Sequence, residues 1–185
     1  MISSKDRSGY IGASDTTFVM GNWNTKTFEK WWRVKQGIEE NHISNDAMMA
    51  GTAYEHKILD ALDIAGLEKD KQIIKGRLRV NLDGNTDTKI YEVKTHNIKK
   101  PFKVSAGYRM QVNVEMYASG IKEACIVAYA LEEKDYCNYF RDIDKGRMTF
   151  HEIPFDEGFI KKYEKRLMYL SRCLENEIFP WEGDV

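Results

Sequence analysis

Two charged residues on one face of an apolar strand constrain this chain more than any other feature. From Gln72 onward the sequence leaves helical spacing for a period of two. Ile74, Gly76, Leu78, Val80 and Leu82 alternate with Lys75, Arg77, Arg79 and Asn81, as in a half-buried strand. Asp83-Gly84-Asn85 then reads as a turn, and residues 89–95 as a second strand, antiparallel to the first if the turn is a simple hairpin. Side chains two apart share a face, so Glu92 and Lys94 point one way and Tyr91, Val93 and Thr95 the other. Charges inside a sheet are costly unless they are paired or bind a metal. Asp83, at the turn, can return to the same edge and bring a second carboxylate beside Glu92.

The flanking segments supply layers for that sheet. Helical spacing predicts a helix over 25–35, capped by Thr25 and ended by Gly37, and a second over 45–64, capped by Ser44 or Asn45. The second carries Met48, Gly51, Glu55, Ile58, Leu59 and Leu62 on one stripe. Further on, the pattern predicts a helix over 105–119, strands over 124–131, 136–143 and 148–155, and a closing amphipathic helix over 156–178. That helix turns Phe159, Ile160, Tyr163, Leu167, Leu170, Leu174 and Ile178 inward. The order predicts an α/β fold with one central mixed sheet flanked by helices. With 185 residues, no internal repeat and no low-complexity linker, the chain reads as a single domain over 1–185.

Several function classes fall away. A net charge of −1 gives no overall attraction to polyanions, so a nucleic-acid site must come from local charge. Cys125, Cys137 and Cys173 form no C-x-x-C pair, which argues for reduced packing thiols. No apolar run is long enough for a membrane span or signal peptide, so a cytoplasmic location is expected. No phosphate-binding G-x-x-x-x-G-K-[ST] loop is present to power translocation. Trp31 and Trp32 face different directions on a helix, so one is expected in the core and the other half-exposed, as packing residues rather than a stacking surface for bases, and the four histidines are scattered, with His96 sharing the parity of Lys94.

What remains is a hard-oxygen constellation. Asp83, Glu92 and the Val93 carbonyl form the kind of donor set Mg²⁺ prefers. Such an ion polarises a phosphodiester and acidifies water, and Lys94 can orient or deprotonate the attacking water. A solvated Glu92–Lys94 pair on a surface hairpin is the competing reading. Glu55 adds a carboxylate on an otherwise apolar helix stripe, where a charge is expensive to bury. After Glu92 no acid occurs before Glu115, whereas Lys94, Lys99, Lys100, Lys103 and Arg109 do. That run is either a track for phosphates or a solvated basic loop.

Taken in order, Arg7-Ser8-Gly9-Tyr10-Ile11-Gly12-Ala13-Ser14-Asp15, Gly51-Thr52-Ala53-Tyr54-Glu55, Leu82-Asp83-Gly84, Glu92-Val93-Lys94-Thr95 and Gln111-Val112-x-x-x-Met116 resemble the lambda-exonuclease-like (YqaJ-type) phage recombination nucleases of the PD-(D/E)xK superfamily. The resemblance spans residues 7 to about 119. It implies a PD-(D/E)xK nuclease-like α/β fold and a Mg²⁺-dependent deoxyribonuclease, with Mn²⁺ able to substitute. Such an enzyme degrades linear double-stranded DNA from 5′-phosphorylated ends and leaves 3′ single strands for an annealing protein. It implies Asp83, Glu92 and the Val93 carbonyl as metal ligands, Glu55 completing the metal shell, Lys94 as the catalytic lysine, and Gln111 facing the site. By the same resemblance Arg7 and Ser14 hold the terminal phosphate, a homotrimer encircles DNA, and the location is the host cytoplasm. A structure-specific endonuclease or RecB-like end-processing nuclease of the same fold is the alternative reading, and a non-catalytic DNA-binding protein is the alternative of another class.

Overall fold

The computed structural model describes residues 8–40 and 45–185. Its centre is a mixed sheet built from β1 (Ile11–Gly12), β2 (Glu68–Lys75), β3 (Leu78–Asn85), β4 (Lys89–Asn97), β5 (Glu123–Leu131) and β6 (Met148–Ile153). The helices are α1 (Thr16–Met20), α2 (Lys26–Lys35), α3 (Asp46–Ala61), α4 (Ala106–Ser119) and α5 (Glu157–Glu175). β4 and β5 run parallel, joined by the α4 crossover, while β2–β3, β3–β4 and β5–β6 are antiparallel. The expected α/β architecture, a mixed sheet flanked by helices, is the one observed.

Two apolar layers hold the sheet. On one face Ile11, Leu78, Val80, Ile90 and Ile126 pack with Trp32, Val112, Met116, Tyr163 and Leu170 from α2, α4 and α5. On the other, Val93, Val127, Tyr129 and Leu131 pack with Ala50, Tyr54, Ile58 and Leu59 of α3. Trp31 and Trp32 are both core residues, although adjacent positions on a helix predict one of them half-exposed. The caps read from sequence at Thr25 and Asn45 are observed, and Ser105 and Asp156 cap α4 and α5, each of the four side chains accepting a backbone N–H of the first turn.

Four further expectations need correction. The alternation from Gln72 to Leu82 is two strands, because Gly76 adopts φ +57° and turns the chain into a β2–β3 hairpin. Asp83-Gly84-Asn85 is the end of β3, and the turn to β4 lies at 86–88. Residues 136–143 form no strand: buried Asp135 accepts from Arg141 (2.7 Å), Arg147 (2.6 Å) and the Glu132 N–H (2.8 Å), which ties the segment into a loop and leaves Cys137 exposed. Finally, Ile178 lies beyond the end of α5 and is half exposed, as is Met48 on α3.

Candidate active site

β3 changes partners along one edge. Its start pairs with β1 (Ile11↔Leu78, Gly12↔Arg79) and its end with β4 (Gly84↔Tyr91, Asn85↔Ile90). Between them the ladder is open. Continuing the β3–β4 register would bring Asp83 opposite Glu92, but here the strands part, and an Asp83 carboxylate oxygen accepts the Val93 N–H at 2.8 Å. A strand residue's N–H and C=O point to the same side, so the Val93 carbonyl faces the same gap.

β4 divides its side chains as alternation requires. Glu92 and Lys94 lie toward α4, and Val93 and Thr95 toward α3. Glu92 is 2% exposed. Its Oε1 accepts from Lys94 Nζ at 2.6 Å and from Gln111 Nε2 at 2.6 Å, while its Oε2 is buried without a partner. Lys94 Nζ also donates to Gln111 Oε1 at 3.3 Å and lies 5.1 Å from the Tyr108 ring centre. Gln111 Nε2 donates in addition to Glu115 Oε1 at 2.9 Å.

α3 approaches from the other face. A Cβ on Gly51 would stand 3.2 Å from Thr95 Oγ1, so glycine there lets the helix lie close over β4. One turn later Glu55 reaches the carboxylates. Its neighbour His56 places Nε2 2.8 Å from an Asp70 carboxylate oxygen, which accepts from it, and Glu55, His56 and Asp70 can each bring a ligand atom within 4.8 Å of the others. Asp70 stands level with Asp83 on the ladder, between the pairs Lys69↔Gly84 and Lys71↔Leu82, and has φ +57°.

Electrostatics follow from this crowding. Burial, then the nearby Glu92, Glu55 and Glu115, push the Asp83 carboxyl well above the ordinary range. Burial followed by Glu92 does the same to Glu115 and, less strongly, to Glu55. Burial disfavours the Lys94 ammonium, but Glu92, Asp83 and Glu115 outweigh it and hold its pKa above that of a free lysine. Lys94 is therefore a cation here, suited to orienting water and phosphate and not to taking a proton.

The oxygens suit a divalent ion. Glu92 Oε2 has no partner, Asp83 and Glu55 are raised by burial and by each other's neighbours, and the donor set is entirely hard oxygen. Asp83, Glu92, Val93, Glu55, Lys94 and Gln111 thus converge. Asp70, His56 and Glu115 join them without having been singled out. Glu115 had a legible signal, since it lies four residues after Gln111 on the same helix face. Asp70 had none, lying on a strand too polar to alternate.

The more distant candidates are placed as follows. Lys99, Lys100 and Lys103 are exposed on the connection from β4 to α4, and Arg109 is exposed on the first turn of α4. His96 leans on that connection, its Nδ1 2.9 Å from the Lys100 carbonyl. Ser14 is exposed in a 3₁₀ turn (Ala13–Asp15) that leaves β1 where the ladder opens. Asp15 anchors that turn by accepting from the Gly12 N–H (2.7 Å), Trp31 Nε1 (2.9 Å) and Lys35 Nζ (2.5 Å). Arg7 lies outside the described residues.

No protein-family model matches the sequence, and no curated protein matches it significantly. Solved structures do match. The alkaline exonuclease LHK-Exo of Laribacter hongkongensis superposes with a TM-score of 0.70 at 20% identity, covering 94% of this chain and 91% of that one. A phage-related exonuclease from Haemophilus somnus gives 0.67 at 14% identity, covering 94% and 97%. The chain has an exonuclease fold. This is the fold the motif order implied. A putative exonuclease from Eubacterium rectale gives a TM-score of 0.55 at 11% identity, covering 95% and 84%, and LHK-Exo has also been solved in complex with dAMP. Among the described residues no helix is long and apolar enough to cross a membrane.

Proposed function

We propose that this chain is a metal-dependent deoxyribonuclease that degrades linear double-stranded DNA from 5′-phosphorylated ends and leaves 3′ single strands. The observation that carries the reading is the fork between β3 and β4. Asp83, Glu92 and the Val93 backbone meet there, with Lys94 held against Glu92 and Glu55 brought in by α3. The exonuclease fold supports the same reading.

In this reading Asp83, Glu92, the Val93 carbonyl and Glu55 hold Mg²⁺ or Mn²⁺, which supplies polarisation of the phosphodiester and acidification of water. Lys94 orients the attacking water and offsets charge on the phosphate. Gln111 fixes Glu92 and Lys94 relative to each other. Lys99, Lys100, Lys103 and Arg109 hold the backbone phosphates of the departing duplex. Arg7 and Ser14 take the terminal 5′-phosphate, where arginine's planar fork donates two bonds and the serine hydroxyl a third. A homotrimer around the duplex, a single-strand annealing partner and a host-cytoplasmic setting complete the proposal.

The experiment is digestion of one linear duplex bearing either a 5′-phosphate or a 5′-hydroxyl, with Mg²⁺, a closed circle and the Lys94→Ala variant as controls. Rapid loss of the phosphorylated linear duplex alone is the expected result. Equal cutting of the circle would replace end recognition with endonuclease activity, and DNA binding without cutting, equal in EDTA, would replace catalysis. Light scattering tests the trimer, which requires three times the 21.6 kDa of one chain.

A further inference from the structure

Glu115 is a carboxylate with no role in the mechanism above, yet it is fully buried, from the middle of α4, against the residues that carry it. Its Oε1 accepts the Gln111 carboxamide N–H at 2.9 Å, and its Oε2 has no partner. A buried carboxyl with an unsatisfied oxygen costs stability, and an apolar side chain of similar volume is usually tolerated better at such a position. Its helix neighbours Val112, Val114, Met116 and Ala118 are core residues. Its geometry points toward the site. Gln111 links Glu115 to the pair formed by Glu92 and Lys94, and the Glu115 and Glu92 carboxyls also lie within hydrogen-bond reach of each other.

We infer that Glu115 is a positioning residue: it holds the Gln111 carboxamide with its NH₂ toward Glu92 and its carbonyl toward Lys94. The inference deepens the nuclease reading and rests on it for its kinetic consequence. A carboxamide can rotate by half a turn, and its two ends then exchange donor for acceptor. Glu92 and Lys94 favour the observed orientation, but both are the groups that must engage substrate and ion. Whenever they do, Glu115 is the partner that remains. It is set four residues along a packed helix, in a place neither DNA nor solvent reaches.

The test compares Glu115→Leu with Glu115→Gln. Leucine fills the space and removes the acceptor, whereas glutamine keeps an acceptor oxygen and removes the charge. Expected for Glu115→Leu is a melting temperature equal to or above that of the parent, a kcat at least about tenfold lower, corresponding to about 1.4 kcal/mol, and an unchanged KM for DNA. For Glu115→Gln, kcat within about threefold of the parent is expected. A second readout needs no metal and no turnover. The Gln111 side-chain NH₂ signals in an ¹⁵N–¹H spectrum, assigned by their absence in Gln111→Ala, should move in Glu115→Leu and return close to the parent position in Glu115→Gln. Full activity or unmoved signals in Glu115→Leu would overturn the inference, as would an inactive but folded Glu115→Gln. If the parent protein degrades no DNA with any divalent ion, the nuclease reading falls, and the NH₂ signals alone then decide whether Glu115 holds Gln111.

Discussion

The Asp83 carboxylate occupies the place of a backbone acceptor opposite the Val93 N–H, at 2.8 Å, where β3 and β4 separate. A side chain thus continues the ladder for one rung beyond the point where the backbone leaves it. The ladder on either side does not depend on that bond, because β3 remains paired to β2 both before and after Asp83. Asp83→Ala and Lys94→Ala are therefore expected to fold normally by circular dichroism and to lose about a thousandfold or more in kcat. Near-parental activity in either variant would remove it from the mechanism.

Crowded carboxyls make the metal-free protein sensitive to alkali. Asp83, Glu115 and Glu55 all have pKa values raised above their ordinary 3.8 or 4.5. Between the ordinary and raised values the native state binds more protons than the unfolded chain, so stability falls as pH rises through that window. In EDTA the melting temperature should drop as pH rises above the ordinary carboxyl range, and Asp83→Asn should flatten the drop and melt about 3 °C or more higher once that range is passed. Divalent ions should do the same for the parent. A profile identical in parent and Asp83→Asn would contradict this.

Salt separates a phosphate track from a solvated loop. If Lys99, Lys100, Lys103 and Arg109 each contact a backbone phosphate, the logarithm of DNA affinity should fall with the logarithm of salt. Each Lys→Gln change should then reduce that slope by about 0.9. Affinity titrations of Lys99→Gln, Lys100→Gln and Lys103→Gln check it, and unchanged slopes would return these residues to the solvent.

Ser14 tests end recognition without touching the carboxylates. Ser14→Ala should reduce the preference for a 5′-phosphate over a 5′-hydroxyl by about tenfold or more, since a hydrogen bond to a charged group is worth about 1.5 kcal/mol or more, and leave the rate on hydroxyl ends unchanged. A preference that survives intact would move the terminal phosphate elsewhere.

Asp15 is the keystone of the turn that carries Ser14, with three acceptor bonds and a largely buried lysine partner. Asp15→Ala leaves the Lys35 ammonium buried and alone, a loss on the order of 3 kcal/mol, or roughly 10 °C in melting temperature. Thermal melts of Asp15→Ala and of the double variant Asp15→Ala/Lys35→Met check this, the second expected to recover part of the loss.

Local physics made much of this site legible. Glu92 and Lys94 are visible because alternation is a property of the strand itself, and Glu55 because a carboxylate interrupts an apolar helix stripe. Gln111 emerged only from the order of motifs. Asp70 and the first half of β2 stayed hidden because residues 68–72 are polar on both faces and form a strand only through their register with β3. The 136–143 segment misled in the opposite direction: its aromatic content suits a strand, but the ion pairs of Asp135 with Arg141 and Arg147 decide its path. Gly76 hid a turn because a glycine fits an apolar–polar alternation without interrupting it.

The bond from Trp31 to Asp15 has an optical consequence. The indole N–H of a tryptophan 8% exposed is fixed to the residue next to Ser14, so its emission reads the polarity and rigidity of that turn. The core thus holds a fluorophore bonded to the residue beside Ser14, the hydroxyl at which the end of a DNA strand is proposed to bind.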